Sequence, residues 1–234
     1  MMSDHRQGAD RVIAAYRAEV LRWNRQINLV SRQDTASQLD GLIRQCDRAL
    51  DSVLAEQPGL ARGPVLYADL GSGGGLPGFV WHRKLLEAAP AVQSWLVEPR
   101  EKRAWFLQRV ARLADPRPYA VLCGRWGEVV GEAVRPAETA LVSLKALRLA
   151  DPEVLDGLAA LGAGAANPPR RVVIVRFHPE DEAWTPELAS ALAVAPVGAA
   201  LGPWRGAGAS ILVPPTPDCP PVGLVVSVYV AGDA

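Results

Sequence analysis

Asp69, Gly71, Ser72, Gly73, Gly75, Leu76, Pro77, Gly78 and, 23 positions beyond Gly75, Glu98 are the residues of this chain whose types and spacing could do chemistry. The stretch LYADLGSGGGLPG (66–78) sets five glycines behind an apolar run that carries an acid near its end. Glycine reaches backbone angles closed to other residues and lets a ligand lie directly on the main chain. The helix expected to follow would offer unpaired N–H groups at its first turn. A carboxylate at the end of a second strand, where Glu98 falls, can accept both hydroxyls of a ribose. The pattern points to an adenosine-bearing ligand.

Residues 73–78 satisfy G-x-G-x-x-G, a spacing shared by NAD, FAD and S-adenosylmethionine sites. Two residues separate these. Pro77 stiffens the chain where the helix begins. Asp69 stands ahead of the first glycine, where its carboxylate could meet a methionine ammonium or a sulfonium and would repel a pyrophosphate. The balance favours S-adenosylmethionine, and a nicotinamide oxidoreductase is the competing reading.

The elements that must position this set follow from the rhythm of apolar residues. Between 10 and 30, Val12, Ile13, Tyr16, Val20, Trp23 and Ile27 recur in steps dominated by three and four, which predicts a helix with one buried stripe. Arg11, Arg17, Arg22 and Arg25 fall mostly on its other side, as a solvated surface or one that faces RNA. A second helix is expected over 36–56, and PGLARGP then breaks the chain. This predicts an N-terminal helical cap over 1–60 and a main domain over 61–234.

In the main domain, β-rich runs at 65–70, 94–99, 119–123, 139–144 and 171–177 alternate with helical patterns at 78–89, 100–114 and 151–162. Alternation of this kind implies βαβ crossovers and a mostly parallel sheet covered on both faces. The runs at 209–213 and 223–230 are joined by PPTPDCPP with no helix between them, and so predict an antiparallel pair at the sheet's edge. The fold class is α/β, Rossmann-like.

Composition narrows the function. The 25 basic residues balance the 25 acidic ones, so no overall field advertises a polyanionic partner. Cys46, Cys123 and Cys219 lie far apart, which predicts neither a disulfide framework nor a metal site. No apolar run reaches membrane-spanning length and the first residues carry no leader pattern, so a cytoplasmic protein is expected. His5, His82 and His178 form no Ser/His/Asp arrangement for a hydrolase.

The segments LRWNRQINLVS (21–31), ALDSV (49–53), YADLGSGGGLPG (67–78), LVEPREKRAWFL (96–107) and GRWGEV (124–129) together resemble the glucose-inhibited division protein B family. Members of that family are bacterial methyltransferases that modify a guanine N7 in small-subunit (16S) ribosomal RNA. The resemblance runs from about residue 12 to 150. Its specific parts are W-N-x-x-I-N-L and D-x-G-S-G-x-G-x-P-G. It implies a class I S-adenosylmethionine-dependent methyltransferase with an N-terminal helical cap and the small ribosomal subunit or its RNA as partner. The cofactor would lie on Gly71, Ser72, Gly73, Gly75 and Gly78, with Glu98 on the ribose and Gly124, Arg125 and Trp126 bordering the adenine.

The same resemblance assigns substrate-side residues. The family's basic residue after the fourth strand corresponds to Lys145, preceded by Ser143 and Leu144, with Arg148 as the alternate. Its His-x-x-Asp-Ser motif in the cap becomes Arg48, Asp51 and Ser52, and Arg176 takes the place of a lysine after the fifth strand. The acids at 180–182 and the final strand lack the basic character that RNA affinity draws on. Arg100, Lys102, Arg103 and Arg109, on the helix after Glu98, are the remaining basic candidates. A methyltransferase of a small molecule, a protein or another RNA, or a non-catalytic binder of the cofactor, is the alternative.

Overall fold

The computed structural model describes residues 2–30, 35–89, 91–114, 117–128, 137–162, 169–178, 185 and 204–231. The acidic run 180–182 lies outside the described residues. Two helices, α1 (Met2–Ile27) and α2 (Thr35–Glu56), precede β1 (Val65–Leu70), α3 (Gly78–Ala88), β2 (Gln93–Glu98) and α4 (Glu101–Ala111). Then come β3 (Ala120–Cys123), β4 (Thr139–Leu144), α5 (Asp151–Gly162), β5 (Arg171–Phe177), β6 (Trp204–Val213) and β7 (Val222–Ala231).

The seven strands form one sheet in the order β3-β2-β1-β4-β5-β7-β6. Strands β1 to β5 are parallel, and β7 runs antiparallel between β5 and β6. This is the strand order of the class I methyltransferase fold. The direction of winding reverses between β1 and β4, so their carboxyl ends open the crevice where such sheets bind ligands. β6 starts at Trp204, earlier than the pattern at 209–213 indicates. Gly206 and Gly208 hide the strand in the sequence, yet Gly206 is what lets the ring of Tyr229 lie across β6. A Cβ on it would sit 2.8 Å from the Tyr229 ring.

Side chains that alternate along β1 supply two cores. Val65 and Tyr67 join the face covered by α1, α2, α3 and α4, and Leu66, Ala68 and Leu70 join the face covered by α5. Tyr16 and Val20 of α1 and Leu39, Leu50 and Val53 of α2 are fully buried in the first of these. The N-terminal helices thus share a core with the sheet. α1 stops at Ile27, short of residue 30, because Asn28 turns left-handed at φ 58°. No helix among the described residues is long and apolar enough to cross a membrane.

Candidate active site

The carboxyl ends of β1 and β2 are joined through the glycine loop. Val97 O accepts the N–H groups of Gly71 and Ser72 at 2.9 and 3.1 Å. Glu98, 3% exposed, then accepts Gly73 N–H on Oε2 at 2.8 Å and Arg100 N–H on Oε1 at 3.0 Å. Its carboxylate therefore shapes the loop, and each oxygen keeps a second lone pair. Gly73 is left-handed at φ +55°, and a Cβ there would meet nothing nearer than Gly71 O at 3.8 Å and Arg103 Nη1 at 3.9 Å. Open space beside bare, left-handed backbone leaves room for a ligand.

The rest of the loop faces inward, contrary to the sequence expectation. Ser72 is 2% exposed and donates its hydroxyl to Asp69 O. Gly75 packs on Leu107, Tyr16 and Phe79, Leu76 packs against the apolar core, and Pro77 is buried. Gly78 is a packing glycine: a Cβ would lie 2.5 Å from Asp69 Oδ2 and 2.9 Å from Leu96 Cγ. Of the loop residues read as ligand contacts, Gly71 and Gly73 keep partly exposed backbone.

Asp69 also departs from its expected role. Its carboxylate is buried, accepting Ser143 Oγ–H on Oδ1 at 2.6 Å and Gly78 N–H on Oδ2 at 3.2 Å. It faces the first turn of α3 and not a ligand cation. Phe79 N–H is likewise taken by Gly75 O at 2.7 Å, so these first N–H groups of α3 are not free for an anion. Burial pushes the Asp69 carboxyl up from 3.8 to about 6, against the pull of the Ser143 and Gly78 hydrogen bonds. The folded state thus holds this proton more tightly than the unfolded chain. The group's contribution is fully present below about pH 4 and is lost as pH rises through about 6, a swing of about 3 kcal/mol. Urea denaturation from pH 4 to 7 is expected to show this decline in the parent and a flatter profile in Asp69→Asn. Identical slopes would remove Asp69 as the source.

The substrate-side residues divide. Lys145, at the end of β4, is half-buried with Nζ 5.9 Å from the Phe177 ring centroid. Ala146 beside it is left-handed at φ 58°, a conformation that costs a non-glycine residue about 1–2 kcal/mol and often marks a functional turn. That turn brings Leu147 back onto the glycine loop, 3.2 Å from where a Gly71 Cβ would be. Arg148 is exposed just beyond.

The others are engaged elsewhere. Ser143 is fully buried between Asp69 and Tyr67, whose hydroxyl is 2.9 Å away, so its hydroxyl is spent within the protein. The Arg176 guanidinium pairs with Asp151 and donates to Leu149 O at 2.9 Å, which ties β5 to the start of α5. Asp51 turns along the outside of α3 to Lys84 at 2.7 Å. Arg48 donates to Pro214 O and Arg44 to Asp218 O at 2.8 Å, which pins α2 to the β6–β7 loop. Gly124 N–H reaches Glu98 O at 3.3 Å, placing that turn beside the site, and Arg125 is exposed. Trp126 is anchored on α5. Its indole N–H donates to Val154 O at 3.2 Å, in a slot that exists because Gly157 has no side chain.

The family model of GidB, rRNA small subunit methyltransferase G, matches residues 10–148. The chain belongs to this family. A ribosomal RNA small subunit methyltransferase G of Xanthomonas oryzae pv. oryzae is 31% identical over 181 residues, which is 75% of each chain. The protein of that name from Acidiphilium cryptum is 40% identical over 96 residues, and the one from Granulibacter bethesdensis 39% over 103. These last two matches span 41% and 44% of this chain and only 40% and 43% of the relatives' own lengths. Among solved structures, an rRNA methylase from Streptococcus thermophilus has a TM-score of 0.43 at 13% identity, covering 78% of this chain and 97% of that one. So distant a likeness adds nothing to the strand order.

The family's W-N-x-x-I-N-L motif has a physical role here that its letters alone do not disclose. Asn24, 4% exposed, accepts the N–H groups of Leu29 at 2.7 Å and Val30 at 2.9 Å on Oδ1, and so fixes the exit from α1. That exit sets Leu29 against the loop, its carbonyl oxygen 3.1 Å from where a Gly74 Cβ would lie. Arg103 donates to Asn28 O at 2.8 Å and Tyr16 Oη–H to Gly74 O at 2.8 Å. The end of α1 thereby braces the glycine loop from behind. Sequence reasoning placed Tyr16 on the apolar stripe and missed its hydroxyl bond. Asn24→Ala orphans two backbone N–H groups, so a loss of about 2 kcal/mol is expected, with faster hydrogen exchange at Leu29 and Val30. Unchanged exchange at those amides would refute the bracing role.

Proposed function

We propose that the protein is an S-adenosylmethionine-dependent methyltransferase that modifies a guanine N7 in 16S RNA of the small ribosomal subunit, in the cytoplasm. Besides family membership, one observation carries the cofactor class: the first turn of α3 is filled by the protein's own Asp69 carboxylate. A pyrophosphate at that turn would meet a buried carboxylate where a dinucleotide fold offers free N–H groups. What remains is a cradle at Gly73 beside Glu98, which suits an adenosine ligand without phosphates.

When bound, S-adenosylmethionine supplies a methyl group on a sulfonium, open to in-line displacement. The chain's own residues bind and orient. The second lone pairs of Glu98 can accept ribose hydroxyls, and Gly73 leaves room for the ligand. Guanine N7 already carries a free lone pair, so no general base is needed. His82 fits that view, being buried with its ring nitrogens bonded to Ser94 Oγ and Arg117 O, both at 2.9 Å. Positive charge builds on the guanine, so Lys145 is suited to holding O6 as a hydrogen-bond donor and not to neutralising charge.

A second reading keeps the cofactor and changes the substrate to a small molecule, a protein or another RNA, or removes turnover. It is favoured by Ser143, Asp51 and Arg176 being engaged by other side chains of the protein. Calorimetry with S-adenosylhomocysteine and NADH tests the cofactor class. Binding of the first alone is expected, and binding of NADH alone would overturn the proposal.

A further inference from the structure

The end of α1 and the start of α4 bound a groove of about 540 Å³, lined by Ile27, Asn28, Pro99, Arg100, Glu101, Lys102 and Arg103. It adjoins the outer side of the glycine loop, since Arg100 N–H is held by Glu98 and Arg103 by Asn28 O. One helical turn further along both helices lies an aromatic pair. Trp23 is four residues before Ile27, and Trp105 is three after Lys102. Their rings meet edge to face with centroids 4.8 Å apart.

Trp23 is built in: its indole N–H donates to Glu19 at 3.0 Å, and Arg22 and Arg109 lie 5.6 and 5.7 Å from its ring. Trp105 leans on that assembly and is 44% exposed, one of three large apolar side chains exposed among the described residues. Around the groove and the pair stand Arg22, Arg100, Lys102, Arg103 and Arg109 against Glu19 and Glu101. That is five cations to two carboxylates, in a chain whose formal net charge is zero. A fixed aromatic face amid exposed cations suits a single nucleic-acid strand: phosphates are held by charge, and any base can stack on the ring.

We infer that the α1–α4 groove and Trp105 form a platform for a single-stranded stretch of the RNA substrate, with phosphates on Arg100 and Lys102 and one base stacked on Trp105. The platform rests on the RNA reading above, and it flanks the Gly73 cradle, whose open space Arg103 Nη1 borders at 3.9 Å. The complementary charge favours RNA over an apolar partner.

The test uses the full chain and a fluorescently labelled single-stranded RNA of about ten nucleotides, titrated at about 50 and 200 mM salt. Trp105→Ala is expected to weaken binding about tenfold, and Trp105→Phe to retain most of it, because a phenyl ring still stacks. The Arg100→Ala/Lys102→Ala double variant is expected to weaken binding and to lower the slope of log affinity against log salt by about 1.4, the value for two phosphates. Binding of S-adenosylhomocysteine stays as in the parent in all three, which reports an intact fold. RNA affinity equal to the parent's in both the Trp105→Ala and the double variant would overturn the platform. So would a parent that ignores the RNA and instead binds polyglutamate, which would point to an acidic protein partner. A parent that methylates rRNA while Trp105→Ala does so at the same rate and KM would sink the platform and leave the function standing. A parent that transfers no methyl to rRNA would sink both.

Discussion

Gly73→Val is expected to abolish binding of S-adenosylhomocysteine while the protein still folds. At φ +55° a β-branched residue is strained, at about 1–3 kcal/mol. For a chain of this size that lowers Tm by about 2–12 °C. Apart from its chain neighbours, no atom of the described residues lies nearer than 3.8 Å to the added Cβ position, so strain and not a clash sets the stability cost. The loss of binding has a different origin. The valine methyls would fill the open space that the ligand needs, and the strained backbone would pull Gly73 N–H off the Glu98 carboxylate, on which it sits at 2.8 Å. Calorimetry and a thermal melt on one sample separate the two effects. Retained affinity in a folded variant would move the cofactor off Gly73, and collapse of the fold would show that the loop is a core element first.

Lys145→Ala is expected to lower kcat/KM for methyl transfer about a hundredfold with cofactor affinity unchanged. A group that aligns a reacting base gives losses of that order when the base shifts by about an ångström. The local geometry supports alignment. The left-handed Ala146 holds the Lys145 turn over the glycine loop, and the ammonium is steadied over the Phe177 ring, which limits its reach. Lys145→Arg should keep most of the activity, since a guanidinium also donates to a carbonyl oxygen. Single-turnover rates on rRNA, with cofactor affinity measured alongside, check this. Wild-type rates in Lys145→Ala would pass the role to Arg148, which is exposed three residues on.

The strands of the parallel sheet were legible because each is an apolar run with glycine, proline or a charged residue at one end or both. The start of β6 was not, since Gly206 and Gly208 read as a loop until Tyr229 on the next strand is seen to need the room. The place of Glu98 at the end of a second strand beside the glycine loop was legible from the sequence. Its two bonds to loop N–H groups were not, because they depend on how tightly the β1 and β2 ends are drawn together. Asp69 and Ser143 show the limit most clearly. Both sit on strands buried along their whole length, where polar residues look like site residues until they are found bonded to each other across the β1–β4 register. The anchoring of Trp126 was not legible for a related reason, as its slot is made by a glycine 31 positions later on α5. The bracing of the glycine loop by α1 was present as the letters W-N-x-x-I-N-L but needed the left-handed turn at Asn28 to be read physically.

The proposed reaction is methyl transfer to a guanine N7 of small-subunit RNA. The most direct measurement is incorporation of a labelled methyl group from S-adenosylmethionine into small ribosomal subunits, and into their naked RNA, from cells that lack a guanine-N7 mark in that RNA. Incorporation at a single guanine N7, absent with Gly73→Val, is the result expected. No incorporation into either substrate, with S-adenosylhomocysteine still bound, would contradict it and shift the substrate to another class of molecule.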